Sequence, residues 1–155
     1  MNTINRRAFL GTAAALPNAL LLTTPAQITH VDAAKSAPAL KSSVVRLKGL
    51  PEEGDSPGAK AQVHFNGPTK QLAAVAAGVV TLQPGARPHP PHQHPEEELM
   101  VIGSGTGEIV VNGVKTNVQT GDMMYAEANV LHGIVNTGST TMTFYFTKFM
   151  AKDAG

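Results

Sequence analysis

Three of the six histidines of this 155-residue chain fall close together, in the segment Pro88-His89-Pro90-Pro91-His92-Gln93-His94. On an extended backbone, residues two apart project to the same side, so His92 and His94 can present their imidazoles to one point. Counting on by twos places Glu98 on that side as well, provided that no bulge intervenes. Two converging imidazoles and a carboxylate are a donor set for a first-row transition metal. The spacing therefore indicates a metal site.

The remaining histidines allow other interpretations. His132 lies in the apolar run Val130–Val135, where an unpartnered imidazole would be costly to bury. It is therefore either a further ligand or a hydrogen-bonded core residue. His89 is flanked by prolines and lies off the parity of His92, so we expect it at the surface. We expect His64 on a strand face without a functional role.

The segment around His92 resembles the first motif of the cupin superfamily. That motif runs from a Gly to His-x-His, then to a Glu and a further Gly at short, regular intervals. Here Gly85 is followed by His92-Gln93-His94, then by Glu98 and Gly105. The gap after Gly85 is one residue longer than usual, and the proline-rich insert absorbs this length without moving the histidines.

A second segment is similar to the other cupin motif, in which Gly, Pro, Gly, His and Asn follow one another at fixed spacing. Gly121, His132 and Asn136 are in register with this pattern. Asn129 replaces the second Gly, and Asn tolerates the left-handed turn that Gly would supply. Glu127 replaces the Pro and is the larger departure from the family pattern.

The resemblance spans roughly Leu72 to Phe149, and it implies a single antiparallel jelly-roll β-barrel with a metal inside. It implies a structural role for Asn136. The metal ligands that it implies by position are His92, His94, Glu98 and His132. This set suits one divalent transition metal ion, whether Mn, Fe, Ni, Co, Cu or Zn. An octahedral ion would keep two positions for water, oxygen or substrate.

Two functional hypotheses follow from this resemblance. The first is a metal-dependent enzyme, either a dioxygenase or an isomerase, lyase or hydrolase, that acts on a small oxygenated substrate. The second is a non-catalytic domain that binds a metal or a small ligand. An apolar wall is expected from Met100 and Ile102, on the parity of Glu98, and from Ile134 beside His132. Other polar residues near the motifs are expected to be solvated or structural: Glu96, Glu97, Tyr125 and Glu127.

The elements that must position these residues are short strands. Gly contributes 15 and Pro 11 residues, and after residue 43 extended runs alternate with turn residues. This pattern predicts an all-β fold of eight to ten strands. Asn112-Gly113 lies between two extended runs and predicts a hairpin, because both residues tolerate positive φ. The alternation of Met142, Phe144 and Phe146 predicts that one face of the last strand lies in the core.

Two extended runs outside the motif region, Val44–Lys48 and Ala61–Phe65, are expected to be strands. Exposed strand edges tend to pair with other chains unless they are covered. A second copy of this chain could pair with these two segments, and we therefore predict a homodimer.

The first residues are typical of an export signal. The sequence Asn5-Arg6-Arg7-Ala8-Phe9-Leu10-Gly11 opens an apolar run that ends near Leu22, and it resembles the twin-arginine signal. The run is too short to cross a bilayer comfortably. Cleavage is expected after Ala26, or later near Ala33. Cleavage after Ala26 would leave a flexible leader over 27–43 and a cupin domain over 44–150. The expected location is the periplasm or the extracellular space, with no stable membrane anchor after cleavage.

The overall composition removes several function classes. A formal net charge of +1 gives no reason to expect a nucleic-acid partner. Because the chain has no cysteine, it has no disulfide, thiol nucleophile or iron–sulfur cluster held by its own thiolates. The expected partner is a small-molecule substrate or ligand.

Overall fold

The computed structural model describes residues 38–152, which form eight strands and no helix. The predicted signal over 1–26 and the first part of the predicted leader lie outside the described residues. Within the described range, no helix is long and apolar enough to cross a membrane. The strands are β1 (Ala59–Gly67), β2 (Leu72–Leu82), β3 (Glu97–Ser104), β4 (Thr106–Val111), β5 (Val114–Gln119), β6 (Met123–Ala126), β7 (His132–Val135) and β8 (Met142–Ala151).

The strands form two antiparallel sheets. The larger sheet has the order β1-β2-β8-β3-β6, and the smaller sheet has the order β5-β4-β7. Some paired strands are distant in sequence, as are β2 with β8 and β4 with β7. The connections between them therefore pass from one sheet to the other rather than joining neighbouring strands only. The fold is all-β and consistent with a jelly-roll β-barrel, as predicted.

The hydrophobic core lies on the inner faces of the strands. In β8 the side chains of Met142, Phe144 and Phe146 are 0%, 2% and 7% exposed, whereas Tyr145 between them is 51% exposed. The alternation predicted for this strand is therefore confirmed. Ile109 in the smaller sheet packs into the same cluster. Full burial of one such side chain is worth about 1.5–3 kcal/mol, so these contacts hold the strands that carry the site.

Two predicted turns are confirmed by their backbone angles. Asn112 has φ 48° and Gly113 has φ 81°, and together they join β4 to β5 as a tight hairpin. Asn129 has φ 62°, the left-handed conformation expected of a residue that replaces Gly. This turn is closed by the amide of Val130, which donates to the carbonyl of Glu127 at 3.2 Å.

The predicted strand over Val44–Lys48 is wrong. These residues form no strand, and Val44 is 91% exposed. A five-residue extended run makes no strand without a neighbouring edge to pair with, and the edge of β1 is partly occupied elsewhere. Glu53 and Ala61 exchange two backbone hydrogen bonds of 2.8 Å each. The other predicted strand, Ala61–Phe65, lies within β1, which contains a bulge between Val63 and Phe65.

Candidate metal centre

Three imidazoles from two distant parts of the chain converge inside the fold. His92 and His94 precede β3, and His132 is the first residue of β7. The ring centroids are 5.2 Å apart for His92 and His94, and 4.9 Å apart for His132 with each of the other two. One nitrogen from each ring lies within 4.8 Å of the other two. The structure therefore brings together the three histidines that the sequence singled out.

Backbone hydrogen bonds fix the position of the His-x-His segment. His92 and His132 exchange two bonds of 2.9 Å, each amide donating to the other carbonyl. The amide of Asn129 donates to the carbonyl of His94 at 2.8 Å. A Cβ at Gly133 would lie 3.0 Å from the Cα of Pro91, so the absent side chain lets the two segments approach closely. The ligand pair is thus attached to β7 and to the turn before it.

Glu98 meets two of the histidines. Its side chain is buried, and Oε2 lies 3.0 Å from Nε2 of His94 and 2.8 Å from Nε2 of His132. Burial would raise the pKa of Glu98, but the hydrogen bonds with His132 and His94 outweigh it and lower the pKa to about 2. The carboxylate is therefore ionised at neutral pH.

Main-chain carbonyls select the tautomers of two histidines. Nδ1 of His132 lies 2.8 Å from the carbonyl oxygen of Val130, and Nδ1 of His94 lies 3.0 Å from that of Glu96. A carbonyl only accepts, so each Nδ1 carries a proton. In the neutral imidazole, Nε2 then directs a lone pair at the Glu98 carboxylate. Facing lone pairs repel unless a proton or a metal ion lies between them, so in this site the metal competes with a proton on Nε2.

The donor distances fit a shared metal ion. Metal–nitrogen and metal–oxygen bonds of about 2.1 Å at right angles would place neighbouring donors about 3.0 Å apart. The observed separations from Glu98 to His94 and His132 are 3.0 and 2.8 Å. Both separations from the Glu98 oxygen therefore match the spacing of neighbouring donors around a divalent transition metal ion.

His92 is the least satisfied member of the cluster. Its Nδ1 is buried and has no hydrogen-bond partner among the described residues. Burial, and then the nearby charges of His89 and His132, lower its pKa to about 3. The ring is therefore neutral at physiological pH and has a free lone pair, as a metal ligand must.

The acidic triplet divides into three environments. Glu96 is 6% exposed, and its Oε2 lies 3.2 Å from Nδ1 of His94, behind the face that meets Glu98. Of the two roles expected for Glu96, solvated or structural, its burial excludes the solvated one. Its sequence signal was available, since Glu96 shares the parity of His94 and Glu98. Glu97 lies on the outside, where its Oε2 accepts a hydrogen bond of 3.0 Å from the hydroxyl of Tyr125.

His89 also departs from its expected surface position. Its ring is half-buried and lies edge-on to His92, with 3.9 Å between the ring centroids. Burial lowers its pKa, despite the contact of its Nδ1 with the carbonyl of Pro90. The proline-rich segment bends between His89 and His92, and simple alternation cannot anticipate such a bend. His89 also lines a surface pocket with Arg87 and Lys115.

The surroundings of the cluster are apolar and rigid. Met100, Ile102 and Ile134 are 3%, 1% and 4% exposed and belong to the hydrophobic core, so these three side chains face inward as predicted. Asn136 is fully buried. Its amide donates to the carbonyls of Leu82 and Thr140 at 3.0 and 2.8 Å, and its Oδ1 accepts from the amide of Gly138 at 2.9 Å. These three bonds make Asn136 a structural residue.

Comparison with protein families gives one match. Residues 78–148 match the family Cupin_2, described as a cupin domain. This range contains His92, His94, Glu98 and His132. No curated protein matches the chain at a significant level.

Solved structures share the fold at low sequence identity. A predicted oxalate decarboxylase from Thermotoga maritima is 20% identical, with a TM-score of 0.59 over 70% of this chain and 99% of the other. An RmlC-like cupin from Shewanella frigidimarina is 21% identical, with a TM-score of 0.58 over 72% of this chain and 95% of the other. A sugar phosphate isomerase from a cupin superfamily, from Silicibacter pomeroyi, is 18% identical, with a TM-score of 0.59 over 70% and 76%. At these identities the likeness shows the fold alone.

Proposed function

We propose that this chain, which carries a cupin domain over residues 78–148, is a metal-dependent enzyme acting on a small oxygenated substrate. The observation that carries the proposal is the convergence of three imidazoles around the buried Glu98 carboxylate. The proposed ligands of one divalent transition metal ion are His92, His94, Glu98 and His132. Proteins of the same fold include ones named as a predicted oxalate decarboxylase and a sugar phosphate isomerase, which supports a small oxygenated substrate.

The chemistry follows from the donor set and its surroundings. A bound divalent ion supplies Lewis-acid polarisation of a substrate oxygen. The carbonyls of Glu96 and Val130 keep Nε2 of His94 and His132 free to act as donors. Glu98 provides the only negative charge of the proposed ligand set. Met100 and Ile102 follow Glu98 on the inward parity of β3 and are buried, which supports an apolar, water-poor surrounding on that side of the site.

The first test is the metal content of the natively purified chain. We expect about one divalent transition metal per chain by elemental analysis, and a large loss in His92→Ala and His132→Ala. The matched control is His64→Ala, since the His64 side chain takes part in no hydrogen bond or ion pair within residues 38–152. A wild-type chain that contains no metal and takes up none on dialysis would contradict the proposal.

A second test separates catalysis from binding alone. The metal-loaded chain is screened by thermal shift against small acids, sugars and phenols, and each stabilising compound is then incubated and analysed by mass spectrometry. Conversion that requires the metal and is lost in His132→Ala supports an enzyme. A compound that binds the metal-loaded chain and is recovered unchanged would favour the alternative, a non-catalytic binding domain.

Export to the periplasm is part of the proposal and is supported by the pair Arg6-Arg7 before an apolar run. Replacing both arginines by lysine should leave uncleaved chain in the cytoplasm. Cell fractionation and mass measurement read this out directly. Normal export of the double variant would exclude the twin-arginine route.

A further inference from the structure

A lysine lies beside the metal site on the inner surface of the barrel. In β8 the inward positions are those of Met142, Phe144 and Phe146, and the next residue on that parity is Lys148. Lys148 is paired in register with Glu98 of β3. An antiparallel cross-strand pair on one face brings the two side chains close together. The site therefore has a cation next to its carboxylate.

The neighbours of this pair are small. Lys148 is also paired with Ala76 of β2, and Glu98 is also paired with Ala126 of β6. Both alanines are 1% exposed, so they too face inward. One row across the larger sheet thus reads Ala76, Lys148, Glu98, Ala126. The two charged side chains dominate the inner surface at this level because only methyl groups flank them.

The charge of Lys148 faces the cluster. Burial and hydrogen bonding have the larger effects, but the Lys148 ammonium also acts to lower the pKa of Glu98, of His132 and of His89. Its own side chain is half-buried. Among residues 38–152, Lys148 takes part in no ion pair or side-chain hydrogen bond, so its donors are available to a ligand.

The charge balance indicates what that ligand is. Three neutral imidazoles, the Glu98 carboxylate and a divalent ion have a net charge of about +1. The Lys148 ammonium roughly offsets the buried Glu96 carboxylate beside His94, so the excess stays near +1. A partly buried excess of positive charge is costly unless an anion accompanies it. We infer that Lys148 determines specificity for a small carboxylate substrate: its ammonium binds the substrate carboxylate while the substrate also contacts the metal. This inference rests on the proposed function and narrows its substrate class.

The experiment uses the full chain loaded with Co²⁺, whose visible spectrum reports ligand binding. Oxalate is the anionic probe, and imidazole is a neutral ligand that reports access to the metal. In Lys148→Met we expect oxalate to bind about tenfold more weakly or worse, because a charge-assisted hydrogen bond is lost. Imidazole affinity and cobalt content should stay within about twofold of wild type. Lys148→Arg should retain most of the oxalate affinity. The control is Lys60→Met, which removes the same charge at an exposed position of β1.

Each contrary result has one meaning. Unchanged oxalate affinity in Lys148→Met overturns the inference and leaves the metal site intact. Equal losses for oxalate and imidazole also overturn it, because Lys148 would then support the metal site rather than recognise an anion. A wild-type chain that binds no cobalt overturns the proposed function and this inference with it. If Lys148→Met does not fold, Lys148→Gln provides the same comparison with a polar side chain.

Discussion

The Nε2 atom of His132 lies 2.8 Å from the Oε2 atom of Glu98, across 34 residues of sequence and between the two sheets of the barrel. His132 belongs to β7 in the smaller sheet, and Glu98 belongs to β3 in the larger sheet. An ion bound at this contact would join the sheets through side chains, in addition to the core that already packs between them.

Metal binding should therefore stabilise the fold. With free metal about a hundredfold above its dissociation constant, the free energy of unfolding should rise by about 2.7 kcal/mol. Thermal melts with and without metal measure this increment. His132→Ala should lose most of it, whereas His64→Ala should keep it. An equal metal-induced increment in His132→Ala would contradict the proposed ligand set.

Metal affinity should fall as the pH is lowered through the neutral range. Burial opposes protonation of His132, but its hydrogen bonds to Glu98 and Val130 outweigh burial and raise its pKa above the usual 6.5. A proton must then leave His132 before metal binds, so affinity should fall by up to about tenfold per pH unit below that pKa. Competition with a chelator, corrected for its own protonation, measures this slope. An affinity independent of pH between about 5.5 and 8 would contradict it.

The metal-free chain should show a related dependence of stability on pH. Because the folded pKa of His132 is raised, its pairing with Glu98 contributes stability that is fully present below pH 6.5 and is lost as the pH rises through the folded pKa. Denaturant titrations of the metal-free wild type and His132→Asn should therefore differ most on the acid side of neutrality. A stability difference between wild type and His132→Asn that grows with rising pH would contradict the predicted contribution of protonated His132.

Glu96 and Glu97 form a matched pair for testing how His94 is oriented. Glu96→Gln should weaken metal binding about tenfold, because the carboxylate beside Nδ1 of His94 becomes neutral. Loss of such an outer partner typically costs about 10- to 100-fold in metal affinity. The loss here should be near tenfold, because the main-chain carbonyl of Glu96 still accepts a hydrogen bond from Nδ1 of His94. Glu97→Gln, which changes only the exposed contact with Tyr125, should leave metal affinity unchanged. Equal effects of the two variants would remove the orienting role of Glu96.

We also predict a homodimer. β1 is an edge strand, and within residues 38–152 only its Ala61 is bridged by a residue outside the named strands. On the outer face of the larger sheet, Met123, Tyr125 and Tyr145 are each at least half exposed. Exposed apolar area of this kind commonly marks an interface. Sedimentation equilibrium at micromolar concentration should give twice the mass of the mature chain, and a mass equal to one chain would contradict the prediction.

The part of the site that alternation controls could be predicted from sequence. His92, His94 and Glu98 share a parity, and the same rule applied to β8 leads from Phe146 to Lys148. His132 needed a second kind of information, because no local rule brings residues 34 apart into contact. Its pairing with His92 depends on strand order, which the resemblance to a family supplied.

The sequence predictions that the structure contradicts also failed where the outcome depends on more than the local pattern of residues. Val44–Lys48 has the alternation of a strand, but strand formation depends on a neighbouring edge that no local pattern reveals. His89 was assigned by parity through a proline-rich segment where the chain bends, so its contact with His92 was missed. Glu96 was expected to be solvated or structural, although its parity with His94 and Glu98 already indicated an inward position.

The two mutual backbone bonds between His92 and His132, beside the bare Cα of Gly133, have a consequence for the lifetime of a metal complex. While these two hydrogen bonds hold, an imidazole that lets go of the ion stays close enough to bind it again, so the pairing should slow metal loss. Any side chain introduced at position 133 would lie too close to Pro91 and would hold the His92 segment partly away from β7. Such a chain would lose its metal to a chelator within a shorter time, even where the equilibrium affinity changed little.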